Sequence, residues 1–315
     1  MAYRDIVVYL DAGGDCTARV RTAINIAAKH HARLIGVDVS TKEALKGESR
    51  DLALAIEDEF KAAVQKAGLD YQYHAARPEA HSAEQFFSHC ADLLVTTQPH
   101  PDHRHLSNSA IPKEILMTAG VPMLVLPTGW TGEDAIGEQV VIAWNFSRES
   151  TRAVHDAMPI LKAARKVFLF VFASNYSDKN ADVQEIKGHL EQHGVGVALE
   201  GWRNTGDNDF TSALFAGLDR ESADLIVCGA YGHSPLFEDM FGGATRDLLK
   251  NASMPVLMSH YIAALRVVSL VGSAATGLLY EQSRVALVVF AVVVQLASLP
   301  VFVKAQRRGH SGVST

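Results

Sequence analysis

The chain states one pattern twice. IVVYLD at 6–11 is matched by VVIAWN at 140–145, ADLLV at 91–95 by ADLIV at 223–227, and VPMLVLP at 121–127 by MPVLMSH at 254–260. The offsets are 134, 132 and 133 residues, so two copies of a single plan follow each other. A repeat of that length is an ordinary domain, and 315 residues are enough for two with cores of their own. Whatever one copy folds into, the other must fold into nearly the same thing.

Within each copy, short apolar runs rich in β-branched residues alternate with stretches of helical periodicity. In the first copy the runs at 6–10, 34–39, 71–74, 93–96 and 122–126 predict strands. The segments 17–31, 49–67, 80–90 and 111–118 predict helices, the second of them stopped by Gly68. In the second copy, strands are predicted over 140–144, 167–172, 196–199, 225–228 and 255–258. Helices are predicted over 148–164, 182–193, 209–219 and 247–251, with Pro159 disturbing the last turn of the first. Between the copies, 127–138 reads as a linker carrying Gly129, Gly132 and Gly137, with Trp130 among them. Such β–α alternation gives parallel sheets covered by helices. The expected fold class is α/β: two tandem Rossmann-like sandwich domains, each with a five-stranded parallel sheet. Ligands in such sheets bind beyond the carboxyl ends of the strands, where strand order reverses.

That rule directs attention to the fourth strand of the second copy. Cys228-Gly229-Ala230-Tyr231-Gly232-His233 follows the strand, and Phe241-Gly242-Gly243-Ala244-Thr245-Arg246 comes after a nine-residue spacer. Glycines let a backbone approach an anion closely, and a strand–loop–helix order presents free N–H groups to it. The spacing is neither that of a P-loop nor that of a dinucleotide fingerprint. A long turn joining two buried elements would use the same residues. The equivalent stretch of the first copy, 96–109, has no glycine at all, so only the second copy keeps a phosphate-type loop.

Other candidates read more plainly. His100, His103 and His105 have ligand-like spacing, but Asp102 is the only carboxylate beside them, and an exposed polar loop explains them equally. Asp11 and Asp15 near a strand end suit holding magnesium or a base, and equally a helix cap. Glu238 and Asp239 in the spacer read as a solvated loop. Cys16, Cys90 and Cys228 are scattered, which fits neither a disulfide scaffold nor a metal cluster. No metal site and no catalytic group are assigned, because no general base is identified. A net charge of −6 argues against nonspecific nucleic-acid binding. Residues 1–11 lack a signal-type apolar core, so the expected location of the domains is the cytoplasm.

The glycine spacing together with ADLIVCGAYGHS and MPVLMSH resembles the universal stress protein family in its tandem form, over roughly residues 3 to 260. The family's pattern G-x2-G-x9-G falls on Gly229, Gly232 and Gly242. Gly243 stands where that pattern has Ser or Thr, with Thr245 close by to offer a hydroxyl. Asn145 stands where the family has an aspartate that meets adenosine. The resemblance implies ATP, with or without Mg2+, as the ligand, and a sensing or regulatory role; slow hydrolysis and nucleotide-free scaffolding are the alternatives. The implied contacts are Trp144, Asn145, Gly229, Gly232, His233, Gly242, Gly243, Ala244 and Thr245. It also implies pairing of the two repeats within the chain and allows a homodimer. The expected division is a degenerate domain over 1–128, a nucleotide-loop domain over 138–260 and a hydrophobic tail over 261–315.

The tail departs from the family plan. Residues 285–303 carry no charge and one Gln, a length that can cross a bilayer. Residues 262–280 are largely apolar too, though Arg266 interrupts them and Gly272 and Gly277 dilute them. A hairpin of these two spans returns Lys304, Arg307 and Arg308 to the side of the domains, as the positive-inside bias prefers. The expectation is inner-membrane anchoring through 262–303.

Overall fold

The computed structural model describes residues 2–11, 15–39, 48–75, 88–98, 119–173, 180–203, 222–230, 248–249 and 251–260. The chain forms one compact unit over Met1–Tyr261, and a second over Ile262–Thr315 that lies outside the described residues. The predicted spans at 262–280 and 285–303 therefore lie outside them as well. Among the described residues, no helix is long and apolar enough to cross a membrane.

The first half contributes β1 (Asp5–Leu10), α1 (Cys16–His30), β2 (Arg33–Asp38), α2 (Glu48–Lys66), β3 (Tyr71–Ala75), β4 (Leu93–Thr97) and β5 (Met123–Leu126). The second contributes β6 (Gln139–Trp144), α3 (Arg148–Leu161), β7 (Lys166–Ala173), α4 (Asn180–Gln192), β8 (Val197–Arg203), β9 (Leu225–Gly229) and β10 (Val256–Ser259). These agree with the predicted elements to within a few residues, with one notable difference. α3 stops at Leu161 rather than 164: Lys162 N–H still reaches Met158 O in the α pattern, and the chain then tightens into a 3-10 turn through Ala163 N–H to Ile160 O. Of the helix predicted over 80–90, residues 80–87 lie outside the described residues, as do the helices predicted over 111–118 and 209–219; Ser88–Cys90 forms a 3-10 turn.

Both halves are parallel and share one order, so β3-β2-β1-β4-β5 is mirrored by β8-β7-β6-β9-β10. Strand alternation sorts the core onto two faces. Ile6, Val8 and Leu10 of β1 and Val140, Ile142 and Trp144 of β6 point to one, under α1 and α3. Val7 and Tyr9, with Val141 and Ala143, point to the other. Both faces are buried, which is why these strands read as continuous apolar runs. Gly36 in β2 serves this packing: a Cβ there would lie 2.7 Å from the Phe60 ring of α2.

The sequence did not reveal how the halves join. β5 and β10 pair antiparallel, with Val125 opposite Val256, Leu124 opposite Leu257 and Met123 opposite Met258. The two five-stranded sheets thus become one sheet of ten strands. Equivalent strands meeting antiparallel is a self-complementary contact, the kind a two-fold relation generates. The linker is also packed rather than loose. Trp130 Nε1 donates to Thr22 Oγ1 at 3.0 Å, Gly129 N–H donates to the Asp15 carboxylate at 3.3 Å, and Arg21 pairs with Glu133 at 3.2 Å.

The repeated ADL tripeptides have a shared task. Asp92 accepts the backbone N–H groups of Arg4 and Asp5, at 2.6 and 3.0 Å, where β1 begins. Asp224 accepts those of Gly137, Glu138 and Gln139, at 2.8, 3.0 and 2.9 Å, where β6 begins. Each carboxylate satisfies donors that the first turn of a strand leaves open. Burial pushes the Asp224 carboxyl above the usual carboxylate range, while these three N–H groups oppose the rise. Asp224→Ala removes the acceptor of three donors and should cost about 1–3 kcal/mol, read as a lower denaturant midpoint with an unchanged m-value.

Candidate functional site

Strand order reverses beside β1 in the first half and beside β6 in the second. The crevices expected to hold a ligand therefore open between the carboxyl ends of β1 and β4, and of β6 and β9. The two are built differently.

In the first, Asp11 ends β1 and is largely buried. Arg19, on the inward stripe of α1 with Ala23 and Ile26, is 4% exposed. Its Nη2 lies 2.9 Å from Asp11 Oδ2, and its Nη1 donates to Thr97 Oγ1 of β4 at 2.9 Å. One guanidinium thus ties β1, α1 and β4 together across the switch point. Asp11, read from sequence as a metal or capping residue, is committed to this ion pair. Asp15 sits at the start of α1 without capping it through its side chain, and receives the linker's Gly129 N–H instead. Reading the sequence alone missed Arg19. The signal was available: a cation on the apolar stripe of a helix needs a buried partner.

In the second crevice, Asn145 follows β6 and is exposed. Its Oδ1 accepts from Ser147 N–H at 3.2 Å and from Ser147 Oγ at 2.6 Å. The turn passes through Phe146 at φ +59°, a left-handed conformation that the Asn145–Ser147 bonds hold in place. Ser147 caps α3 by accepting Ser150 N–H at 3.1 Å. Aligning the helices on Asp15 and Ser147 sets Thr151 opposite Arg19. Thr151 is exposed and turns its hydroxyl back to Ser147 O at 3.1 Å, so at this position no cation crosses the crevice.

Gly229 ends β9 against the first turn of α3. A Cβ there would lie 2.5 Å from Glu149 C and from Ser150 N, so strand and helix meet this closely only because the residue is glycine. Trp144 is 7% exposed and belongs to the core, with Phe146 edge-on at 6.1 Å. Its indole N–H is buried and has no hydrogen-bond partner among the described residues. Cys228 is buried, which pushes its thiol up to about 12 and fits packing rather than nucleophilic chemistry. Ala230 starts the loop, its carbonyl 2.9 Å from His260 Nδ1. Gly232, His233, Gly242, Gly243, Ala244 and Thr245 lie outside the described residues, as do His100, His103 and His105.

A cluster the sequence reading did not single out joins α3 to α4. His155 and His189 have ring centroids 5.3 Å apart, and His189 and His193 4.7 Å apart. Local desolvation, then the neighbouring His189 and Lys162, hold the exposed His193 below the usual imidazole range. Among the described residues, no group of three His, Cys, Asp or Glu is placed to hold a metal ion.

No protein-family model and no curated protein matches the sequence. Solved structures do match the fold. A universal stress protein from Archaeoglobus fulgidus DSM 4304 superposes with a TM-score of 0.64 at 14% identity, covering 81% of this chain and 98% of that one. A protein of unknown function from Pseudomonas aeruginosa PAO1 gives 0.54 at 14% identity, covering 82% and 93%. The chain has the universal stress protein fold, with both halves included in the match.

Gly229→Ala tests how far that glycine serves packing. The variant should lose about 1–3 kcal/mol, because the added methyl meets helix backbone rather than a side chain that can swing away. Thermal unfolding monitored by circular dichroism reads this directly. An unchanged midpoint would show that the strand and helix have room to part.

Proposed function

We propose that this chain binds an adenine nucleotide, ATP with or without Mg2+, in the crevice of its second half, and acts as a sensing or regulatory protein. The observation that carries the reading is the contrast between the two switch points. A buried Arg19–Asp11 pair crosses the first, while at the matching positions of the second stand Asn145 and Thr151, with no internal cation among the described residues. The glycine spacing follows β9 at that second crevice and has no counterpart in the first half.

In this reading, the loop amides around Gly229, Gly232, Gly242, Gly243 and Ala244 receive the phosphates, with His233 and Thr245 as further donors. Asn145, whose oxygen is engaged by Ser147, turns its amide nitrogen to the ribose or base edge. Trp144 supports the turn from the core. The residues 1–128 then act as a partner domain, 138–260 as the nucleotide domain, and 262–303 as the segment that associates with a membrane.

A second reading, a nucleotide-free interaction protein of the same fold, is favoured by Gly229. Its missing side chain is already accounted for by the contact with α3.

Isothermal titration of the full chain with ATP and magnesium separates the two. The nucleotide reading expects a single saturable site. It also expects the double variant Asn145→Asp/Thr151→Arg, which rebuilds the first half's ion pair in the second crevice, to weaken binding by about tenfold or more. A folded native chain that gives no heat sustains the interaction reading instead.

A further inference from the structure

The first half offers a second kind of site. Between α1 and α2 lies a cavity of about 510 Å³ whose apolar lining includes Leu10, Val20, Ile24, Ile56, Phe60 and Ala63. Its lining residues recur every three or four positions on both helices, at 17, 20, 21 and 24 on α1 and at 56, 59, 60 and 63 on α2. The cavity therefore follows the helix axes for about two turns, on the order of 10 Å. This is an elongated apolar trough in the size range of small-molecule sites.

The second half shows why the trough belongs to the first. Counted back from the helix ends, Ala63 of α2 stands where His189 stands in α4. His189 packs its ring against His155 of α3, whereas the methyl of Ala63 leaves the space between α1 and α2 open.

The charges around the trough select among apolar ligands. Asp11 is paired with Arg19, and Arg21 with Glu133. Glu59 and Lys66 also line it, and neither has an ion-pair partner among the described residues. Both are exposed: Lys66 is the last residue of α2, one turn beyond Ala63, and Glu59 lies one turn before Ala63. An unpaired ammonium beside an apolar channel suits a ligand with one anionic head and an uncharged linear body, and Glu59 disfavours a second negative charge along that body.

We propose that the trough between α1 and α2 binds a medium-length acyl chain with a carboxylate head, the chain lying along Val20, Ile24, Ile56 and Phe60 and the carboxylate meeting Lys66. The site is separate from the nucleotide crevice and uses none of its residues.

The test is a fluorescence titration of the full chain with cis-parinarate, with decanoate as competitor. The native chain should give a saturable enhancement that decanoate reverses. Ala63→Trp, which fills the trough, should weaken binding by about tenfold or more, and Lys66→Glu by about tenfold, with circular dichroism melts unchanged. Should Ala63→Trp fail to fold, Ile24→Phe blocks the same space from the other helix. The proposal is overturned by a native chain with no saturable signal. It is overturned equally by folded blocking variants that bind as well as the native chain, which would place the probe on another apolar segment such as 262–303. Undiminished binding by Lys66→Glu overturns the carboxylate head.

Discussion

The architecture depends on one strand pairing. β5 and β10 are equivalent strands, each the last of its half, and they meet antiparallel along their edges. Without that contact each half-sheet would end in an open edge of unpaired N–H and C=O groups at the middle of the molecule. With it, the free edges move out to β3 and β8, and the apolar surfaces of both halves merge into continuous layers. The same pairing fixes the functional layout. A two-fold relation between halves produces two equivalent crevices, so any difference in what they do must come from side chains.

That difference is concentrated in a few positions. Taking a guanidinium and a carboxylate out of water is expensive, and the cost is recovered only when both are held by good partners. Arg19 is held by Asp11 and Thr97, which makes the first crevice part of the core. At the matching helical position, Thr151 is spent on a local bond to the helix start. The second half instead invests its polar groups in the turn Asn145-Phe146-Ser147, which leaves an exposed amide at the end of β6. The halves have diverged by moving polar groups rather than by changing the fold. The trough beside α2 follows the same logic, with an alanine on one side of the duplication and an imidazole on the other.

Much of this was legible from residues alone. The repeated IVVYLD and VVIAWN runs identify central strands because both faces of a parallel sheet are buried. The ADL repeats mark strand starts, although that Asp92 and Asp224 receive backbone N–H groups becomes visible only when β1 and β6 are in place. The antiparallel join was illegible, since an edge strand that pairs with its own repeat has the same sequence as one that stays open. The role of Gly229 was half legible. Spacing marks it as a loop glycine, but only the path of α3 shows that helix backbone already occupies the place of its side chain. Arg19 was passed over because a charged residue amid helical periodicity is usually solvent-facing, and the register that turns it inward is set by Val20, Ala23 and Ile26.

The central claim is that the two crevices are unequal, the second being the one that receives a nucleotide. Photolabelling of the full chain with 8-azido-ATP, followed by peptide mapping, addresses it most directly. The account predicts labelled peptides from the second half, containing Asn145 or the loop after Gly229, and protection by excess ATP. Labelling of peptides that contain Asp11, Arg19 or Thr97, protected by ATP in the same way, would contradict it.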